Sequence, residues 1–578
     1  MQAPAVEFSS QRTPRRAAML LAFTLLAGCA AHARTQATAQ LAARPQPMQP
    51  AASGALDAAA SAHPVAFLDR IGWGAEAAQL QTLQRLGAAR YLDAQLRPDP
   101  DPALPPEVQA QLAALAVNRP LTALVPPLAR AQRALFLSKR EGGDDATQAQ
   151  ARLKAIQAGK NQLTQQAMAQ QLLLAVYAPN QLQQRLTWFW QNHFNVFRGG
   201  NIGPMMVDYT QRVIAPHALG HFRDLLQATM FSPQMLLYLN NAQNARGHVN
   251  ENYAREVMEL HTLGVGAGYT QADVTNLARV LTGLGVDLAD RPVRVRPALR
   301  DELWQRGLVV FNPARHDPGP KLVLGQTLHG RGLDEIERVI TLLADDPATA
   351  RHVSFELAQY FVADHPDPVM VNAMVRTWAR TNGDIAAVLR TMFTSPQFAA
   401  SLGAPQFKDP MRYVVSAARA SLHGRVITNP QPLIGMLDKL GEPLYGRQTP
   451  DGYPLNSGAW DSPGQLTTRF EVARWLGSGA PALFGPPPPF LRIDATMDAA
   501  DTMGGMSGMA AAMPQTNTAP RPGPNPHPHL PPPDLARSAV FLAAEPALSR
   551  ATLQALAQAD KRVSWNALWL SSPEFMND

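Results

Sequence analysis

The chain has 578 residues, 46% of them apolar and 17% charged, with a formal charge of +6. That apolar share supports a folded core, in roughly two to four domains by length, and excludes a wholly disordered chain. The small positive excess is spread along the sequence with no basic tract of interleaved aromatics, which argues against a nucleic-acid partner.

The first element, residues 1–33, reads as an export signal. Arg12, Arg15 and Arg16 precede an apolar run from Ala17 to Ala27, too short to span a bilayer permanently. The run ends in Leu26-Ala27-Gly28-Cys29, the pattern of a bacterial lipobox, and Cys29 is the chain's only cysteine. A lone cysteine forms no internal disulfide, so its position predicts lipidation. The expectation is an exported lipoprotein of the cell envelope, tethered to a membrane through Cys29. Ala30 follows rather than aspartate, which favours the outer membrane. The alternative is cleavage after Ala31-His32-Ala33. Residues 34–64, rich in Ala, Gln and Pro, read as a flexible linker.

Residues 65–480 read as the main helical domain. Asn180, after Pro179, is a candidate cap for a helix with Leu182, Leu186, Phe189 and His193 on one stripe. From Asn250, Glu251, Arg255 and Glu259 fall at i, i+4 and i+8. Tyr253, Val257 and Leu260 form the opposite, apolar face, with Glu256 between. Thr270 and Asp273 predict a capping box before Val274, Leu277, Ala278 and Leu281, and Gly283 and Gly285 supply stop signals. Leu308 to Phe311 is the best short strand candidate. His316-Asp317 precedes Pro318-Gly319-Pro320 on a stiff loop. Arg351 to Val362 and Asp384 to Phe393 read as further helices. Residues 481–533, rich in Pro, Met and Gly, read as a disordered insertion, and 534–578 as helices completing the domain. Ser-Pro steps at Ser232, Ser395 and Ser572 predict helix stops. The sum is an all-α fold with long loops.

Candidate chemistry comes from scattered polar residues. His193, Glu256, Glu259, His316 and Asp317 together would supply ligands for one divalent metal, by co-occurrence rather than by a diagnostic spacing. Glu256 or Asp317 is a candidate catalytic base. Asn250, Glu251, Arg255 and Lys321 are candidate binding residues, Lys321 toward an anion. The plain alternatives are a solvated salt-bridge ladder for Glu251 and Glu259, a core histidine for His193, and a backbone-bonded turn for Asp317. Met503, Met506 and Met509, with His527 and His529, have donor types suited to copper, but their composition favours a ligand-free insertion. No P-loop, dinucleotide fingerprint or G-x-S-x-G motif occurs, and with its one cysteine in the signal the chain has no cysteine nucleophile.

Asn250-Glu251-Asn252-Tyr253-Ala254-Arg255-Glu256-Val257-Met258-Glu259-Leu260-His261-Thr262-Leu263-Gly264-Val265-Gly266 resembles the signature of the bacterial "domain of unknown function 1800" family. Phe67 to Gly74, Arg185 to Phe194, His316 to Lys321, Leu444-Tyr445-Gly446 and Ser572 to Phe575 are similar to further marks of that family. Gln191 stands where members often carry a histidine. The resemblance implies an all-helical envelope protein and assigns no reaction. Two readings follow. One is a lipid-anchored binding or assembly protein with an envelope protein or polymer as partner. The other is a metal-assisted hydrolase acting on an envelope or extracellular substrate.

Overall fold

Serine followed by proline starts many of the helices. Ser232, Ser395, Ser462 and Ser572 each accept a hydrogen bond from the amide three residues on, with proline in the first turn. The hydroxyl satisfies an orphan N–H, and proline's missing donor is not needed there. The Ser-Pro steps at Ser232, Ser395 and Ser572 therefore end one helix and cap the next. Thr270 and Asp273 form a complete capping box. Asn180 does not cap: its side chain donates to Gln183 Oε1 at 2.6 Å.

The computed structural model describes residues 51–578 except 100, 142–145, 290–291, 330–331, 423 and 492–530. The signal region with Cys29, and the methionine and histidine run at 503–529, lie outside the described residues. Ser53–Asp578 forms one compact unit. Among the described residues no helix is long and apolar enough to cross a membrane.

The fold is mainly all-α. Helix α1 (Ala51–Ala62) occupies the end of the stretch read as linker; its alanines favour helix, and Leu56 and Ala60 bury one face in the core. Among the helices that follow are α2 (Pro64–Ile71), the long pair α3 (Leu121–Glu141) and α4 (Ala146–Tyr177), and α5 (Gln181–His193). The signature segment forms α6 (Asn252–Glu256) and then widens into a π turn, Val257–His261. Then follow α7 (Gln271–Val280), α8 (Leu333–Ala344), α9 (Pro347–Phe361), α10 (Pro368–Thr381), α11 (Ile385–Phe393), α12 (Pro410–Leu422), α13 (Pro463–Gly477) and α14 (Arg562–Leu570).

Two small antiparallel sheets interrupt the helices. β1 (Leu284–Val286), β2 (Trp304–Arg306) and β3 (Val309–Phe311) lie in the order β1-β3-β2, with Phe311 opposite both Leu284 and Trp304. β4 (Lys321–Val323) and β5 (Gln326–Leu328) form a hairpin. The strand expected at 308–311 is β3. Gly283, at φ +84°, turns the chain into β1 where a Cβ would meet Asn312 O at 2.7 Å.

The start of the insertion packs rather than hanging free. Leu483 is buried and its carbonyl accepts from Thr428 and Asn429, while Arg425 stacks on Phe484. Helix α14 lies on α13, joined where Asn566 Nδ2 donates to Gly477 O at 2.9 Å.

A buried ionic network sits beside the aromatic core. Asp578 lies 3.5 Å from Arg70, 3.7 Å from Arg185 and 3.5 Å from Arg412, all almost fully buried. Burial alone would push the Asp578 carboxyl up; Arg412, Arg70 and Arg185 outweigh it and hold it below the usual range. Arg185 and Arg412 also stack over Tyr360.

Candidate functional site

Four segments build one cleft of about 210 Å³. Helix α5 delivers Phe189, Asn192 and His193. The π turn and its glycine exit deliver Glu259, Leu260 and Val265. Helix α9 delivers His352 and Glu356, and a loop delivers Asp451, Tyr453 and Leu455.

His193 is fixed from all sides. Phe189, Trp190, Phe194 and Phe222 pack around its ring. Its Nδ1 lies 2.7 Å from Glu356 Oε2 and its Nε2 lies 3.1 Å from the His261 carbonyl oxygen. Both ring nitrogens thus face acceptors. His352, one turn before Glu356, places Nε2 at 3.2 Å from the Leu260 carbonyl and 3.6 Å from Glu356 Oε1. Both accepting carbonyls belong to the π turn, a distortion that recurs at functional sites.

The carboxylates are shifted in different directions. Burial pushes Glu356 up, but His193, through charge and hydrogen bond, and then His352 prevail and hold it below the usual range. Glu356 is therefore an ionised carboxylate with 23% of its side chain open to the cleft. Asp451 is held low, against burial, by Arg447 and Thr449. Glu256, beside the cleft, is pushed up by burial first and then by Glu259 and Asp451. His261 is buried beneath the site. Burial, then the charges of His193 and His352, drive it well below the ordinary histidine value, so it stays neutral.

Backbone geometry closes the wall. Asn192 Oδ1 accepts from Tyr453 N at 2.6 Å and its Nδ2 donates to Tyr453 O at 2.9 Å. Gly452 sits at φ +69°, where a Cβ would stand 2.4 Å from Asn192 O. Gly264, at φ +90°, lets the chain pass the His352 ring, 3.2 Å from where a Cβ would lie.

A family model described as protein of unknown function (DUF1800) matches residues 66–577. The chain belongs to the DUF1800 family. No curated protein and no solved structure matches it. The two stretches that carry most of the DUF1800 resemblance, Arg185 to Phe194 and Asn250 to Gly266, meet at this cleft.

The residues proposed from sequence divide into two groups. His193 and Glu259 line the cleft, and Glu256 lies beside it. Glu251, Arg255 and Glu259 form the ladder, at 3.2 and 3.5 Å, with Arg255 38% exposed. Asn250 Oδ1 accepts from Asn252 N, a local turn bond. His316, Asp317 and Lys321 lie in a second network. There Lys321 Nζ bonds Glu335 Oε2 at 2.5 Å, His316 Nδ1 lies 2.8 Å from Thr282 O, and Arg279 holds Asp317 at 2.9 Å. The five side chains grouped as ligands of one metal are thus split between two places. Among the described residues, no three His, Cys, Asp or Glu form a group able to hold a metal ion. Asp317 accepts from Arg279 and from Gly319 N, the backbone-bonded turn weighed against its role as a base. Lys321 meets an internal carboxylate rather than an external anion. Sequence reasoning missed Asn192, His261, His352, Glu356, Asp451 and Tyr453 as site residues. The i, i+4 pair His352 and Glu356 was the available signal.

Proposed function

We propose that this chain is an exported, lipid-anchored helical protein of the bacterial cell envelope whose cleft binds a cationic group of an envelope or extracellular ligand. The observation that carries the binding reading is Glu356, kept ionised by His193 yet open to the cleft, with Glu259 and Asp451 on the walls. An ammonium or guanidinium there gains charge-assisted hydrogen bonds. Phe189, Leu260, Val265 and Leu455 give its alkyl stem apolar walls. The volume suits one side-chain-sized group, being smaller than a drug-sized pocket. The anchor reading rests on the apolar run ending in Leu26-Ala27-Gly28-Cys29.

Thermal denaturation with butylamine, arginine amide and butyrate tests the cleft. The cations raise Tm, butyrate does not, and Glu356→Gln removes the response. At 100 times Kd the gain is about 2.7 kcal/mol. Equal responses to cation and anion, or an undiminished response in Glu356→Gln, overturn the reading. For the anchor, Cys29→Ser abolishes palmitate labelling; equal labelling of the variant refutes lipidation.

A further inference from the structure

Helices α3 and α4 extend beyond the main core. Their far end has a small apolar cluster of its own, Leu135, Ala149 and Ile156, separate from the central one. Around it, apolar side chains stand in solvent: Phe136 is 66% exposed, Leu137 38% and Leu153 46%. Arg130, Arg133, Lys139, Arg140, Arg152 and Lys154 are exposed on the same two stretches. Between Arg130 and Lys154 the acids are Glu141, Asp144 and Asp145, grouped where α3 gives way to α4. Arg133, Phe136, Leu137 and Arg140 fall at i, i+3, i+4 and i+7 and share one face of α3.

We infer that this helical pair is a docking surface for an anionic lipid bilayer. Adjacent large apolar residues flanked by arginine and lysine at helical spacing are the composition of an interfacial helix. The apolar side chains enter the headgroup boundary while the cations meet lipid phosphates and their stems snorkel. The charge excess on these stretches selects anionic lipid. The reading is independent of the cleft and of Cys29.

The test uses the full chain with Cys29→Ser, so that no lipid anchor contributes, and Phe136→Trp, mixed with vesicles whose acyl chains are dibrominated. Val369→Trp is the reference, at a valine equally exposed, 66%, on α10. With phosphatidylglycerol vesicles, the tryptophan at 136 is quenched beyond the wild-type background and the one at 369 is not, and added salt reduces the effect. A companion variant, Phe136→Ser with Leu137→Ser, lowers binding on the order of tenfold. Equal quenching at both positions overturns the inference, as it would if this face served an acidic protein. Undiminished quenching in pure phosphatidylcholine overturns the selection by charge.

Discussion

His261 gives a sharp pH prediction. The residue is 1% exposed, its Nε2 has no hydrogen-bond partner among the described residues, and its folded-state pKa lies well below the ordinary 6.5. The unfolded chain takes up a proton as pH drops through 6.5, and the folded chain does not. A histidine with a lowered folded pKa therefore contributes stability above 6.5 that is lost progressively as pH falls. One proton per molecule is about 1.4 kcal/mol per pH unit, so at about pH 5 the cost reaches about 2 kcal/mol. His261→Leu removes this titration and keeps the backbone carbonyl that His193 uses. Urea denaturation of wild type and variant is compared at about pH 8, 6.5 and 5. The variant is expected within about 1 kcal/mol of wild type at the highest pH and to gain about 2 kcal/mol relative to it at the lowest. A constant difference across the range refutes the assignment of His261 as a buried neutral ring.

Other perturbations are simpler. Lys321→Met leaves buried Glu335 with only His316 Nε2, 3.4 Å away, and costs up to about 3–5 kcal/mol in urea denaturation; adding Glu335→Leu recovers most of it. Gly452→Ala places a methyl against Asn192 O at positive φ, so it lowers stability by about 1–3 kcal/mol and weakens cation binding in the cleft. Arg255→Ala breaks only a partly exposed ladder and costs under about 1 kcal/mol by the same assay.

The all-helical class, the capping box at Thr270 and the strand at 308–311 were legible because their causes are local. His193 was legible as a histidine on an apolar stripe, but its partner was not: Glu356 is 163 residues away. Asp451-Gly452 advertises a turn, yet nothing in those letters says that Asn192 clamps the next residue. Grouping five ligands by co-occurrence failed at the one step sequence cannot supply, which is convergence. Nearer partners, Arg279 and Glu335, had already claimed Asp317 and Lys321. Alanine-rich composition misled at 51–62, where Leu56 and Ala60 suffice to dock a helix.

The arginines around Asp578 bear on how the chain folds. Arg70 and Asp578 are 508 residues apart, and Arg70 donates to the Asp578 carbonyl as well as facing its carboxylate. Contacts so distant in sequence are slow to form, because a long loop must close before any reward arrives. Until they do, drying Arg70 and Arg185 costs several kcal/mol for each uncompensated charge. Any partly folded chain lacking the segment around Phe575 therefore keeps water on that side of its core. Docking of Asp578 is expected to expel it, and hydrogen-exchange protection of α2 and α5 to rise with that event rather than with helix formation.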